Sequence, residues 1–153
     1  MSKPRPKRRL DPAAHAPFQI VALANRISSS ASRAYLRDFG VGVMEWRVLA
    51  LVGREPGTTA HAVSQLSDID KASVSRAVAA LVRRGDIEAQ ADPADARRTL
   101  LRLTDAGERL HDAILAASLE REQLLLAGLR AEERRTLLDL MKRLAANMDT
   151  STS

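Results

Sequence analysis

Residues 68–104, DIDKASVSRAVAALVRRGDIEAQADPADARRTLLRLT, restrict the fold more than any other stretch of this 153-residue chain. Val74, Ala77, Val78, Leu81 and Val82 recur at i, i+3, i+4, i+7 and i+8, the spacing of a helix that buries one stripe. Asp68 or Asp70 stands where an N-cap belongs and Gly85 where a helix stops, so the spacing predicts a helix over 71–84. Its uncovered side is Lys71, Ala72, Ser73, Ser75, Arg76, Ala79, Ala80 and Arg83. Two short strands follow at 87–90 and 100–103. They are joined by the turn-rich 91–98, with Arg97 and Arg98 near its apex.

Ahead of this block the chain reads as three helices. Pro17 suits a first helical turn, and Phe18, Val21, Ala24, Ile27, Ala31, Ala34 and Tyr35 continue the pattern to residue 39. Residues 43–52 give a short helix with Trp46, Leu49 and Ala50 on one face, closed by Gly53 and the Pro56-Gly57 turn. Thr58 or Thr59 caps a third helix ending at Leu66. After the hairpin, Thr104 caps a long helix to about residue 127, with Asp105 and Glu108 placed to suit the helix dipole. A last helix follows Gly128, and every glycine is expected at the start or end of an element.

The fold class expected is mainly α. A winged helix-turn-helix spans 43–104, helical regions at 17–42 and 105–148 flank it, and residues 1–16 form a basic, structureless tail. The apolar faces of the flanking helices have no partner close in sequence. A symmetric homodimer through them is expected, with folding back onto their own core as the alternative.

Absence of cysteine excludes disulfides, thiolate metal sites and a thiol redox switch. No run of 18 apolar residues occurs, and the basic N-terminus lacks the apolar stretch of a secretory signal, so a cytoplasmic location without a membrane partner is expected. The three histidines are scattered, with His61 and His111 expected on exposed helix faces; no metal and no cofactor are expected. No nucleophile elbow, phosphate loop or acid–base pair appears, which argues against an enzyme.

The formal charge of +5 is uneven. Lys3, Arg5, Lys7, Arg8 and Arg9 crowd the tail, and the remaining 19 basic and 19 acidic residues cancel. Within that neutral body, residues 71–102 carry seven basic against four acidic groups. The tail reads either as a solubilising extension or as an arm touching phosphates. The small, hydroxylic, basic leading end of 71–84 suits a DNA groove, because bulky side chains there would hold the helix axis away from base edges. Thr59, Lys71, Ser73, Ser75, Arg76, Asp95, Arg97 and Arg98 are the candidate DNA contacts. Arg76 has the reach for a guanine edge, and the hairpin arginines fit a narrow minor groove or a phosphate clamp. The plainer alternatives are a solvated basic face and ion pairs that merely close the hairpin, with Asp95 partnering Arg97.

DKASVSRAVAALVRRGDI (70–87) and DPADARRTLLRLTDAG (92–107), with Asp95-Ala96-Arg97 at the core of the second, resemble the MarR (multiple antibiotic resistance regulator) family over residues 17–148. The resemblance implies a triangular homodimer that sets two recognition helices on a palindromic operator in double-stranded DNA. It also implies a pocket where a small phenolic or aromatic acid binds and releases the DNA, hence a ligand-responsive repressor. The alternative is an architectural DNA-binding protein without an effector. Arg130 departs from the family, whose members often carry Ser or Thr ahead of the acidic pair Glu132-Glu133, and a loosened start to the last helix is expected. Candidate effector-binding residues are His15, Ser28, Ser29, Trp46 and Arg47, cations or hydroxyls beside apolar surface. Each has a structural reading as well. Trp46 is a core anchor, Arg47 an ion-pair residue, Ser28 and Ser29 a helix-packing face, and His15 part of the lead-in.

Overall fold

The structure, a computed structural model, describes residues 9–150; Lys3, Arg5, Lys7 and Arg8 of the basic tail lie outside the described residues. The chain divides into two compact units, one ending at Ile114 and the other beginning at Leu115. The first holds α1 (Ala16–Phe39), α2 (Val43–Arg54), α3 (Ala60–Ser67), α4 (Lys71–Arg84), the strands β1 (Ile87–Asp92) and β2 (Asp95–Leu103), and the start of α5 (Asp105–Leu125). The second holds the rest of α5 and α6 (Ala131–Thr150). Among the described residues no helix is long and apolar enough to cross a membrane.

The core of the first unit forms where the predicted stripes meet. Val48, Leu49 and Val52 of α2, Val63 of α3, and Val74, Ala77 and Leu81 of α4 are buried together with Ile87, Leu101 and Ile114. β1 and β2 pair antiparallel, Ile87 opposite Leu103. The hairpin is stitched to the helices where Gly57 N–H donates to the Leu101 carbonyl and Leu101 N–H to the Thr58 carbonyl, both at 2.8 Å.

Several expectations need correction. α2 continues through Gly53 to Arg54. A Cβ on residue 53 would lie 3.1 Å from both His111 and Leu103, so this glycine permits close packing within the helix and does not end it. The buried face of α2 is accordingly Val48, Leu49 and Val52. His111 is not an exposed residue; only 18% of its side chain is accessible, and its ring lies 5.6 Å from that of Trp46. The hairpin is longer than expected. The ladder runs to Asp92 opposite Asp95, leaving only Pro93 and Ala94 as the turn, with a register shift at Ala91/Asp92.

Both chain-end expectations also change. Asp11 closes a turn by accepting from the amides of Ala13 and Ala14, and the Gln19 side chain donates to the Pro12 carbonyl, so ordered structure precedes residue 17. Arg130 does not loosen α6. Its N–H donates to Glu133 Oε2 at 2.7 Å and its guanidinium to Oε1 at 3.1 Å, so Glu133 caps from inside the first turn.

Thr104 turns the hairpin into α5. Its hydroxyl donates to the Gly85 carbonyl at 2.6 Å and accepts from Gly107 N–H at 3.1 Å. A Cβ on Gly107 would fall 1.9 Å from the Asp86 carbonyl oxygen. Backbone cannot yield there as a side-chain tip can. Gly107→Ala is therefore expected to destabilise the protein by about 3 kcal/mol, the upper end for overpacking, read as a lowered urea midpoint at unchanged slope. A midpoint equal to that of the wild type would refute this packing.

Candidate nucleic-acid interface

The turn between α3 and α4 takes only three residues. Asp68 adopts left-handed backbone at φ +52°, Ile69 is buried as an apolar plug, and Asp70 caps α4 by accepting from Ser73 N–H at 2.9 Å. The Ser64 hydroxyl donates to the Ile69 carbonyl at 2.6 Å, and Arg47 Nη2 donates to the Ser67 carbonyl at 2.6 Å. The turn is thus tied down by α3 on one side and by α2 on the other.

At the leading end of α4, Lys71, Ser75 and Arg76 are exposed and Ser73 is half-buried. Arg76 Nη2 donates to the Ser73 hydroxyl oxygen at 2.9 Å, so the guanidinium lies back along the helix toward its N-terminus. Hydrogen bonding from the Ser73 hydroxyl and amide holds the Asp70 carboxyl below its ordinary range. Asp70, Ser73 and Arg76 form one relay within the first turn and a half. Ser73 is engaged on both sides, so its first role is to orient Arg76. Thr59 is placed apart from this group. Its hydroxyl caps α3, accepting from Ala62 N–H at 3.2 Å.

The hairpin carries the second group. Arg97 Nε donates to Asp95 at 3.2 Å, and Arg98 stands 3.6 Å from Asp92. The Arg97 side chain is 91% accessible and that of Arg98 58%, while Asp92 is only 12% accessible. Both arginines lie within β2 and not in the turn itself, which corrects their expected position near the loop apex. Neighbours on a strand point to opposite faces, so the two cannot share one groove wall.

The five effector candidates do not converge. His15 is the N-cap of α1, its Nδ1 accepting from Phe18 N–H at 3.3 Å. Ser28 and Ser29 are exposed farther along the same helix, about 20 Å away at 1.5 Å per residue. Ser29 borders a shallow concavity with Asn25, Arg26, Ser30 and Arg33. Trp46 packs edge-on against Tyr35 with centroids 6.3 Å apart. Arg47 is committed to the Ser67 carbonyl. That bond is invisible in sequence, where a lone arginine beside a tryptophan looks like a ligand cation.

The family model described as MarR family matches residues 39–98, the segment from the end of α1 to the hairpin arginines. A MarR/EmrR family transcriptional regulator from Acinetobacter sp. ADP1 is 31% identical and superposes with a TM-score of 0.86, covering 92% of this chain and 99% of that one. The chain belongs to the MarR family. The PcaV transcriptional regulator from Streptomyces coelicolor, crystallised with its natural ligand, is 30% identical with a TM-score of 0.77, over 91% of this chain and 97% of that one. An HTH-type transcriptional regulator of Bacillus subtilis (strain 168) is 36% identical over 85 residues, 54% of this chain. The chain spans 50% and 58% of the lengths of the curated relatives it matches.

The depressed Asp70 carboxyl gives a pH dependence of known sign. A carboxyl held low in the folded state adds stability above its unfolded value, and that stability disappears as pH falls through the folded value. The start of α4 is therefore expected to fray under acid, read as faster amide exchange at Ser73. Asp70→Asn, which keeps a capping oxygen, should remove this acid dependence; an unchanged acid response in that variant would exclude Asp70 as its source.

Proposed function

We propose that this MarR-family chain is a DNA-binding transcriptional repressor. It acts as a homodimer on a palindromic operator and is released by a small aromatic or phenolic acid. The observation carrying this reading is the leading end of α4. There an exposed Lys71, Ser75 and Arg76 stand on a helix with small neighbours, and Arg76 is already turned toward the end that meets base edges. The exposed arginines of the hairpin supply the flanking contact, with Arg97 on one face and Arg98 on the other. Lys71 and Ser75 contact phosphates in this reading. Thr59, the N-cap of α3, adds a contact at the start of that helix in the same reading.

Pairing is supported by apolar surface. Phe18, Val21 and Leu23 of α1 are 50%, 58% and 53% exposed in the first unit. In the second unit Leu138, Met141 and Leu144 of α6 are 55%, 57% and 51% exposed. The similarity to a ligand-bound PcaV supports an effector, and the proposal takes it to be an aromatic acid.

Footprinting on the DNA flanking the gene tests the reading directly. One discrete palindromic protection is expected, and uniform coverage would favour an architectural binder instead. Arg76→Ala should weaken operator binding by about 1–3 kcal/mol and relax preference at one base pair; equal weakening on every sequence would make it a phosphate contact. Arg97→Ala should lower affinity in fluorescence anisotropy while leaving the melting temperature unchanged. A panel of hydroxybenzoates and hydroxycinnamates at roughly millimolar concentration should include one compound that raises the melting temperature and releases DNA. Absence of any shift across the panel would remove the phenolic effector from the proposal.

A further inference from the structure

The trailing end of α4 is tied to α1 by a side chain that neither the DNA contacts nor the effector candidates include. Arg84 is the last residue of α4. Its Nε donates to Asp86 Oδ2 at 2.7 Å, and its Nη1 donates to the Gly40 carbonyl at 3.0 Å, with Nη2 3.4 Å from the Phe39 carbonyl. Those two carbonyls are the C-terminal end of α1, where the helix dipole is negative and unsatisfied acceptors gather. Asp86 is the one buried charged residue among the described residues, with 8% of its side chain accessible.

A rigid fork with several donors is the only side chain that grips a carboxylate and a helix end together; a lysine offers one charge centre. The pair is partly buried and hydrogen-bonded on both sides, unlike fully exposed pairs such as Arg37 with Asp38, so it holds geometry where those contribute little. α4 is fixed at its start by Asp70 and Arg47 through the turn; at its end Thr104 holds the Gly85 and Asp86 carbonyls, and Arg84 supplies the side-chain tie to the end of α1. The angle of a rod is set by its two ends.

We infer that Arg84 is a positioning residue for DNA reading: it clamps the trailing end of α4 to the C-terminus of α1 through Asp86 and the Gly40 carbonyl, and so sets the angle at which the leading end meets the operator. This rests on the DNA-binding reading above.

Arg84→Gln and Arg84→Lys, compared with the wild-type full chain by fluorescence anisotropy on operator and on unrelated DNA at several salt concentrations, test the inference. Arg84→Gln is expected to bind operator about tenfold more weakly, the scale of one charge-assisted hydrogen bond, with binding to unrelated DNA and the salt slope unchanged. Arg84→Lys is expected to recover little of the loss, because charge without the fork cannot span both partners. If Arg84 touched a phosphate instead, Arg84→Gln would reduce the salt slope by about 0.9 and Arg84→Lys would restore binding; either result overturns the inference. Operator binding equal to wild type in both variants overturns it as well. So does loss of helicity in Arg84→Lys, since the residue would then hold the fold and not the angle. Wild type that ignores the operator at low salt removes the DNA-binding reading itself, and the inference with it. That outcome is distinct from a wild type that binds beside variants that bind equally well.

Discussion

The backbone at Asp86 is the point on which the first unit turns. Asp86 N–H closes α4 by donating to the Leu81 carbonyl at 2.9 Å, with Gly85 N–H on Val82 at 3.0 Å. Its carbonyl then accepts from Thr104 N–H at 3.1 Å, and the bare Cα of Gly107 packs against the same oxygen. One residue therefore ends α4, precedes the first strand and seats the start of α5. A buried peptide group left unpaired here would carry a desolvation penalty of roughly 1–3 kcal/mol. The arrangement avoids it by making three elements share two backbone groups, so displacing one of them exposes the acceptors of the others.

The surface cations follow a different logic. Exposed ion pairs such as Arg97 with Asp95 add about 0–1 kcal/mol to stability, so stability does not explain why Arg97 and Arg98 each have a carboxylate partner within 4 Å. Ordering does. An arginine already held in one orientation loses less freedom when it meets an anion, and immobilising a free one costs about 0.5–1.5 kcal/mol. Arg76 leaning on Ser73 is the same device without a charge, and Asp70 completes it by holding Ser73. The carboxylates keep cations aimed while presenting less negative charge to the solvent than the arginines present positive.

Sequence pattern and structure agree where both ends of an element announce themselves. α4 has a capping aspartate, a clean apolar stripe and a closing glycine, and its bounds fall at 71 and 84 as the spacing requires. The hairpin was less legible. Residues 91–98 hold two aspartates and a proline, types that favour turns, yet cross-strand pairing continues through Ala91 and Thr99 to Asp92 and Asp95. Neither face is packed there, so no alternation of apolar and polar residues marks the strands. Gly53 and Gly107 look alike in sequence, both being small residues beside helix signals. One sits inside a helix under His111 and the other against a carbonyl, contacts that join positions more than 20 residues apart. The effector set fared least well in geometry, because residue type cannot tell a cation facing a cavity from Arg47 reaching the Ser67 carbonyl.

The exposed apolar residues of α1 bear on how the chain exists. Phe18 and Val21 lie on one side of that helix, and Ile20, Leu23 and Ile27 lie nearly opposite at 100° per residue, all between 39% and 58% exposed. A helix folding against its own core covers one stripe, and α1 does this only at Ala31 and Tyr35 in its second half. Its first half is apolar nearly all round, which water penalises at about 25 cal/mol for each square ångström left uncovered. A second molecule related by a two-fold axis covers more than one side, because the same helix both receives and inserts. Such a contact would also steady the helix whose far end Arg84 grips. Pairing and reading would then be two ends of one α1, and the distance between two α4 helices in a dimer would depend on how firmly that helix is held.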